Sequence, residues 1–156
     1  MALLGDSCHP SLPYQAQGAA MACEDGAVVG ILLGNLYRSS LGAHGQANRY
    51  VSAVLELFES QRKERTSINQ EGAFQNRRFY HLHDGPLQIE RDKMLASIDW
   101  TGNCEWNWGS IAYLKDLLAF DVVAAAETAF DHWLQEKKPP PQNKADLHSA
   151  AVKFSV

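Results

Sequence analysis

The stretch that decides the fold is residues 3–30, which read LLGDSCHPSLPYQAQGAAMACEDGAVVG. A short apolar run ends at Asp6, and the loop that follows contains Pro10 and Pro13. A helix of small residues then begins near Gln17, where the apolar residues take on a helical spacing. The segment therefore predicts the end of a buried strand, a stiff loop and a helix in direct succession.

The residue types in this segment indicate a ligand. A carboxylate at the end of a strand lies at the edge of a sheet where α/β folds bind their ligands, and ionised Asp6 suits the hydroxyls of a polyol. Pro10 and Pro13 offer flat apolar surface to a planar ring. The free amides at the helix start stabilise negative charge, and Gly18 lets a ligand approach the backbone closely. Together they predict a site for a polyol joined to a ring that can become anionic.

The same segment resembles a known motif. Its pattern is GD-x-x-H-P, a Pro-rich loop and then QGA-x-x-A-x-E-D, and it is similar to the second flavin-binding motif of FAD-dependent aromatic monooxygenases, the salicylate hydroxylase-like group. The matching residues are Gly5, Asp6, His9, Pro10, Pro13, Gln17, Gly18, Ala19, Ala22, Glu24 and Asp25. The likeness continues more loosely through residues 58–66, 79–95 and 120–130, so the chain resembles the C-terminal portion of such an enzyme.

This resemblance implies a cofactor and a reaction. The cofactor is FAD, with NAD(P)H as co-substrate, and the reaction is the O2-dependent hydroxylation of a small aromatic substrate. Asp6 is expected to bind the ribityl chain, while Pro10 and Pro13 lie near the face or edge of the flavin ring. The backbone at the helix start is expected to support the pyrimidine side of the ring; its residues are Gln17, Gly18 and Ala19. The resemblance identifies no catalytic residue in this chain, and no metal ligands are expected.

The predicted fold class is mainly α, with a strand remnant and about five helices, corresponding to the C-terminal part of an α/β FAD-binding fold. Residues 1–40 would hold the motif and its helix, residues 41–138 a helical region, and residues 139–156 a disordered tail. The G-x-G-x-x-G pattern that cradles a dinucleotide pyrophosphate is absent from the sequence. We therefore expect a truncated fragment whose own enzymatic activity is uncertain, and the alternative is a non-catalytic helical partner or ligand-binding protein derived from such an enzyme.

Composition excludes several other classes. The chain has 156 residues, of which 46% are hydrophobic, so it can bury a core. Its net charge of −4 argues against a partner that is a nucleic acid or an anionic membrane. Three cysteines without a C-x-x-C pair favour a reducing, cytoplasmic setting over a disulfide framework. The expected partners are FAD and either a missing N-terminal half or a second copy of the chain.

Several other residues allow two interpretations. A structural role for His9 in its loop is favoured over a catalytic one. The pair His81 and His83 with Asp84 has the look of a metal site, but too few ligands lie together. Three tryptophans form a cluster for which packing is favoured over stacking on a ligand ring; they are Trp100, Trp106 and Trp108.

The charged run QRKERT, residues 61–66, is interpreted as a solvated helix face. Glu59, two residues before this run, is placed to pair with Arg62 or Lys63 at helical spacing. Glu24 and Asp25 are expected to mark the polar side of the first helix.

Overall fold

The architecture was established from a computed structural model, which describes residues 1–100, 104, 106 and 109–137. These residues form five α-helices and contain no β-strand, so the predicted mainly α class with about five helices is confirmed. The predicted tail at residues 139–156 lies outside the described residues, as does Trp108. The helices are α1 (Gly18–Arg38), α2 (Val51–Tyr80), α3 (Pro86–Ala96), α4 (Ile111–Leu118) and α5 (Val122–Lys137).

The strand predicted before Gly5 is wrong. Leu4 has an extended backbone, with φ −136° and ψ 149°, but the chain turns at once into a short 3₁₀ helix, Gly5–Ser7. The N–H of Leu4 donates to Ser7 Oγ at 3.1 Å rather than to a neighbouring strand. A single extended segment becomes a strand only when a second segment accepts its backbone hydrogen bonds, and the described residues supply none.

The core lies between α1, α2 and α5. Helix α1 contributes Val28, Leu32 and Leu36, which recur every four residues and are buried along one face. Their partners come from one stripe on each neighbouring helix. These partners are Val54 and Phe58 on α2, and Ala126, Phe130 and Trp133 on α5.

Helix α1 is also long and apolar enough, by length and composition alone, to cross a membrane, with a mean hydropathy of 1.3. In this structure the apolar face of α1 packs in the helical core, where Leu32 and Leu36 are fully buried. The packing against α2 and α5 is sufficient to explain the composition of α1.

The helix boundaries follow local chemistry. Pro86 occupies the first turn of α3, where its missing N–H costs nothing. Asp121 Oδ1 accepts a hydrogen bond from the Ala124 N–H at 2.9 Å and so caps the start of α5. Helix α2 runs for 30 residues and passes through Gly72 as one element. Its length lets one helix contact both the core and the Pro-rich loop.

Candidate functional site

The predicted cofactor residues lie on the surface around the start of α1. Asp6 is in the 3₁₀ turn Gly5–Ser7, and its Oδ1 is 3.8 Å from the position that a Cβ on Gly18 would take. Ser11 Oγ is 3.2 Å from the same position. The fold thus brings the Asp6 carboxylate to the first residue of α1, and a larger residue in place of Gly18 would crowd this approach.

The start of α1 is open. Gln17 is the N-cap residue, but its side chain makes no capping hydrogen bond. The N–H of Met21 is the first to bond within the helix, to Gln17 O at 2.9 Å, so the preceding three amides lack a helical acceptor. Ala19 and Ala20 are exposed. An α-helix of 21 residues therefore presents free N–H groups and the positive end of its dipole to solvent.

The Pro-rich loop, residues 10–17, is held by side chains of α2. Gln70 Nε2 donates to Pro10 O at 2.9 Å, and Asn76 Nδ2 donates to Tyr14 O at 2.9 Å. Just beyond α2, His81 Nε2 lies 2.9 Å from Tyr14 Oη. Pro10 and Pro13 remain exposed on this tethered loop. Sequence reasoning missed these tethers, because nothing local to the loop indicates where it docks.

A buried ion-pair network lies behind the 3₁₀ turn and is centred on Asp25. The Asp25 side chain is fully buried and accepts hydrogen bonds at both oxygens. Arg62 Nε donates to Oδ1 at 2.8 Å, while Oδ2 lies 2.9 Å from Gly5 N and 2.6 Å from His9 Nε2. The network joins α1, α2 and the turn that carries Asp6. It supports the structural interpretation of His9, which is 6% exposed and faces Asp25.

Glu24 extends this network to a second arginine. Arg62 Nη1 donates to Glu24 Oε2 at 2.7 Å, and Arg65 donates to both Glu24 oxygens at 2.7 and 2.8 Å. The interpretation of residues 61–66 as a solvated face is therefore wrong for these two arginines, since Arg62 is only 3% exposed. Within that run Lys63 and Glu64 are exposed as expected, and Lys63 Nζ lies 3.9 Å from Glu59 Oε1.

Both acidic residues of the network have lowered pKa values. Burial by itself raises the pKa of the Asp25 carboxyl, but hydrogen bonds from Gly5, Arg62 and His9 outweigh it and hold that pKa below its ordinary value. Burial also opposes ionisation of Glu24, and the hydrogen bonds from Arg65 and Arg62 lower its pKa in the same way. The two carboxylates are thus ionised and paired at neutral pH.

Cys8, His9 and Asp25 place one potential metal-ligand atom each within 4.8 Å of one another. These atoms are already engaged: Cys8 Sγ lies 3.4 Å from Gly5 O, and the His9 and Asp25 atoms bond to each other. Burial, followed by the Asp25 charge, raises the pKa of the Cys8 thiol, which disfavours the thiolate that a metal binds. The set is best described as part of the ion-pair network.

The same network borders an open cavity of about 740 Å³ between the N-terminal segment and α2. Leu55 and Phe58 contribute apolar walls, while His9 and Arg62 contribute polar ones. The six predicted cofactor residues are not among the described residues that line it. The predicted cofactor surface around Gly18 and this cavity are therefore separate features.

Aromatic packing explains the tryptophan-rich segment. Trp106 stacks on Phe79 with ring centroids 4.8 Å apart, and its Nε1 donates to Asn76 Oδ1 at 3.0 Å. Trp100 meets Trp106 edge to face at 6.4 Å. These contacts support packing over ligand stacking for both residues. His81, which the sequence placed in a possible metal group, is hydrogen-bonded to Tyr14 instead.

The chain is similar to several curated proteins, although no protein-family model matches it. The chain is 35% identical over 136 residues to FAD-dependent monooxygenase OpS4 of Beauveria bassiana (strain ARSEF 2860), covering 81% of the chain and 28% of that protein. It is 30% identical over 131 residues to FAD-dependent monooxygenase atnJ of Arthrinium sp, covering 78% of the chain and 29% of atnJ.

A third relative is named for an aromatic substrate. The chain is 36% identical over 114 residues to 3-amino-4-hydroxybenzoate 2-monooxygenase of Streptomyces cremeus, which covers 73% of the chain and 26% of that enzyme. The chain thus spans somewhat under a third of the length of the curated relatives it matches. The resemblance inferred from residues 3–30 is confirmed over about four fifths of the sequence. The chain belongs to the family of FAD-dependent monooxygenases, of which it represents a helical segment.

Proposed function

We propose that this chain supplies part of an FAD-binding site, at the surface where Asp6 meets the start of α1. The observation that supports this most directly is the 3.8 Å approach of Asp6 Oδ1 to the Cβ position of Gly18. Among the described residues none donates a hydrogen bond to the Asp6 carboxylate or forms an ion pair with it, so it is free to accept hydrogen bonds from ligand hydroxyls. The relatives named as FAD-dependent monooxygenases match about four fifths of the chain.

The residues present fit the cofactor. Asp6 would accept hydrogen bonds from the ribityl hydroxyls, and the free amides at Gly18 and Ala19 would donate to the pyrimidine side of the flavin. Gln17 would take part through its backbone, and Pro10 and Pro13 would lie near the ring, where their apolar rings exclude water. When bound, FAD supplies the redox chemistry with O2, and the protein supplies binding and orientation.

For the whole protein we propose flavin-dependent monooxygenase activity, with NAD(P)H and O2 consumed in the hydroxylation of a small aromatic substrate. The name of the Streptomyces cremeus relative supports the substrate class. The sequence carries no G-x-G-x-x-G pattern, so we infer that a further polypeptide segment completes the cofactor site. A cytoplasmic location fits the three cysteines without a C-x-x-C pair.

The test is a fluorescence titration of the purified chain with FAD, accompanied by an absorbance scan. We expect saturable binding that Asp6→Ala weakens by about tenfold, as the loss of one charge-assisted hydrogen bond predicts. Asp131→Asn is the matched control, because Asp131 is also an exposed carboxylate but lies on α5. Equal affinity of the wild type and Asp6→Ala would remove Asp6 from the site, and no binding at near-millimolar FAD would contradict the proposed function itself.

A further inference from the structure

Gly72 on α2 lies in unusually close contact with Gln15 of the Pro-rich loop. A Cβ placed on Gly72 would lie 2.1 Å from Gln15 Nε2 and 2.8 Å from Gln15 Cδ. Distances this short are sterically impossible, so only glycine at position 72 allows the Gln15 amide to lie where it does. Gly72 is buried in the middle of a helix, where glycine is otherwise unfavourable.

The Gln15 side chain cannot simply rotate away from such a clash. It is 2% exposed, and its Nε2 donates to Tyr113 Oη of α4 at 2.6 Å. Its Oε1 is buried and has no hydrogen-bond partner among the described residues. Because the amide is buried and hydrogen-bonded to α4, a methyl group on Gly72 would force Gln15 out of this position.

The loop is coupled to the start of α1 by a short and constrained connection. Pro13–Gln15 forms a 3₁₀ turn, and Ala16 follows in the left-handed region with φ 52° and ψ 31°. Residues other than glycine rarely adopt this conformation, and it persists where surrounding contacts impose it. Gln17, the N-cap of α1, is the next residue. A displacement at Gln15 is therefore transmitted to the first amides of the helix.

We propose that Gly72 and Gln15 are positioning residues, whose contact sets the Pro-rich loop and the start of α1 in the geometry that receives the cofactor. This inference rests on the proposed FAD site. The tethers from Gln70 to Pro10 and from Asn76 to Tyr14 hold the two sides of the same loop. Gly72 lies between the two tethers, two residues after Gln70 and about one turn before Asn76, and fixes the depth at which the loop docks.

A double-mutant cycle tests the proposal with FAD as the probe. Gly72→Ala is expected to weaken FAD binding by at least about tenfold, since the helix amides no longer face the cofactor correctly. In the Gln15→Ala background the clash disappears, so adding Gly72→Ala should change the affinity less than about twofold. Gly26→Ala is the matched control, because a Cβ on Gly26 of α1 meets nothing within 4 Å.

The outcomes separate the positioning role from general damage. The proposal is overturned if Gly72→Ala lowers the FAD affinity by the same factor in the wild-type and Gln15→Ala backgrounds. It is also overturned if Gly72→Ala binds FAD as tightly as the wild type does. Urea unfolding of each variant identifies any that fail to fold. If Gly72→Ala fails to fold but folds again when Gln15→Ala is added, the Gly72–Gln15 contact is supported, and failure of both proteins to fold would overturn the proposal.

A separate readout distinguishes this proposal from the proposed function. If the wild type binds no FAD, hydrogen exchange of residues 10–17 still reports the docking of the loop. The Ala16 N–H donates to Pro13 O at 3.2 Å, and its hydrogen exchange should be faster in Gly72→Ala than in the wild type. The double variant should exchange no faster at this N–H than Gln15→Ala alone. Unchanged exchange in Gly72→Ala would overturn the positioning role whether or not FAD binds.

Discussion

Arg62 and Asp25 are 37 residues apart in the sequence, yet Arg62 Nε lies 2.8 Å from Asp25 Oδ1, and the two side chains are only 4% and 1% exposed. The same arginine also binds Glu24, so one guanidinium on α2 neutralises two adjacent carboxylates on α1. Asp25 in turn holds Gly5, at the start of the turn that carries Asp6. The ion pair therefore connects the packing of the two longest helices to the geometry of the proposed cofactor surface.

Replacing Arg62 by methionine should destabilise the protein by about 3–5 kcal/mol, because the buried Asp25 loses its arginine partner, while Glu24 keeps only Arg65. The free energy of unfolding, measured in urea, checks this. Lys63→Met is the control on the same helix; Lys63 is exposed, and its change should stay within about 0.5 kcal/mol. Equal losses in the two variants would mean that the buried network does not stabilise the fold.

The network also predicts how stability depends on pH. Asp25 and Glu24 have folded pKa values below their ordinary values of 3.8 and 4.5. Their contribution is complete above those ordinary values and is lost as the pH falls through the lower folded values. The difference in unfolding free energy between wild type and Asp25→Asn should therefore narrow as the pH falls below 3.8, the ordinary pKa of Asp25. A difference that stays constant or widens as the pH falls below that value would contradict this assignment.

In the core, Leu32→Ala should cost about 2–5 kcal/mol, since Leu32 is fully buried between α1 and its neighbours. Thermal or urea unfolding measures the loss. Leu118→Ala is matched in chemistry, but Leu118 is 67% exposed at the end of α4, so its replacement should change stability by about 0.5 kcal/mol or less. A small loss in Leu32→Ala would show that α1 is not the central helix of the core.

At the start of α5, Asp121→Ala should lower stability by about 0.5–2 kcal/mol, because the Ala124 N–H loses its acceptor. Asp121→Asn keeps an oxygen that can cap the helix and should retain most of that stability. Circular dichroism with urea unfolding compares the three proteins. If asparagine destabilises as much as alanine, the effect of Asp121 comes from its charge rather than from the hydrogen bond.

Much of the helical inventory could be predicted from local patterns. The apolar spacing of α1, Pro86 at the first turn of α3 and the cap at Asp121 are all short-range signals. The family was also recognisable, because residues 3–30 carry a long motif without gaps. These features depend on residues within a few positions of one another, so a single sequence contains enough information to predict them.

The strand before Gly5 and the solvated face at residues 61–66 were predicted wrongly for one reason. Both predictions used a local pattern whose outcome depends on a distant partner. An extended apolar run forms a strand only beside another strand. Likewise, charged residues on a helix are mostly exposed, and they become buried only where opposite charges meet them. Nothing near Arg62 in the sequence indicates Asp25.

The sequence by itself determined which segments form helices, where those helices begin and which family the chain resembles, because backbone preferences and motifs act over short distances. Only the tertiary structure decided that Asp25 pairs with Arg62, that Gly72 admits Gln15 and that Asp6 faces Gly18. Each of these contacts joins segments that the chain must fold to bring together. Their free energy comes from burial and from exact distances, which a one-dimensional pattern does not contain.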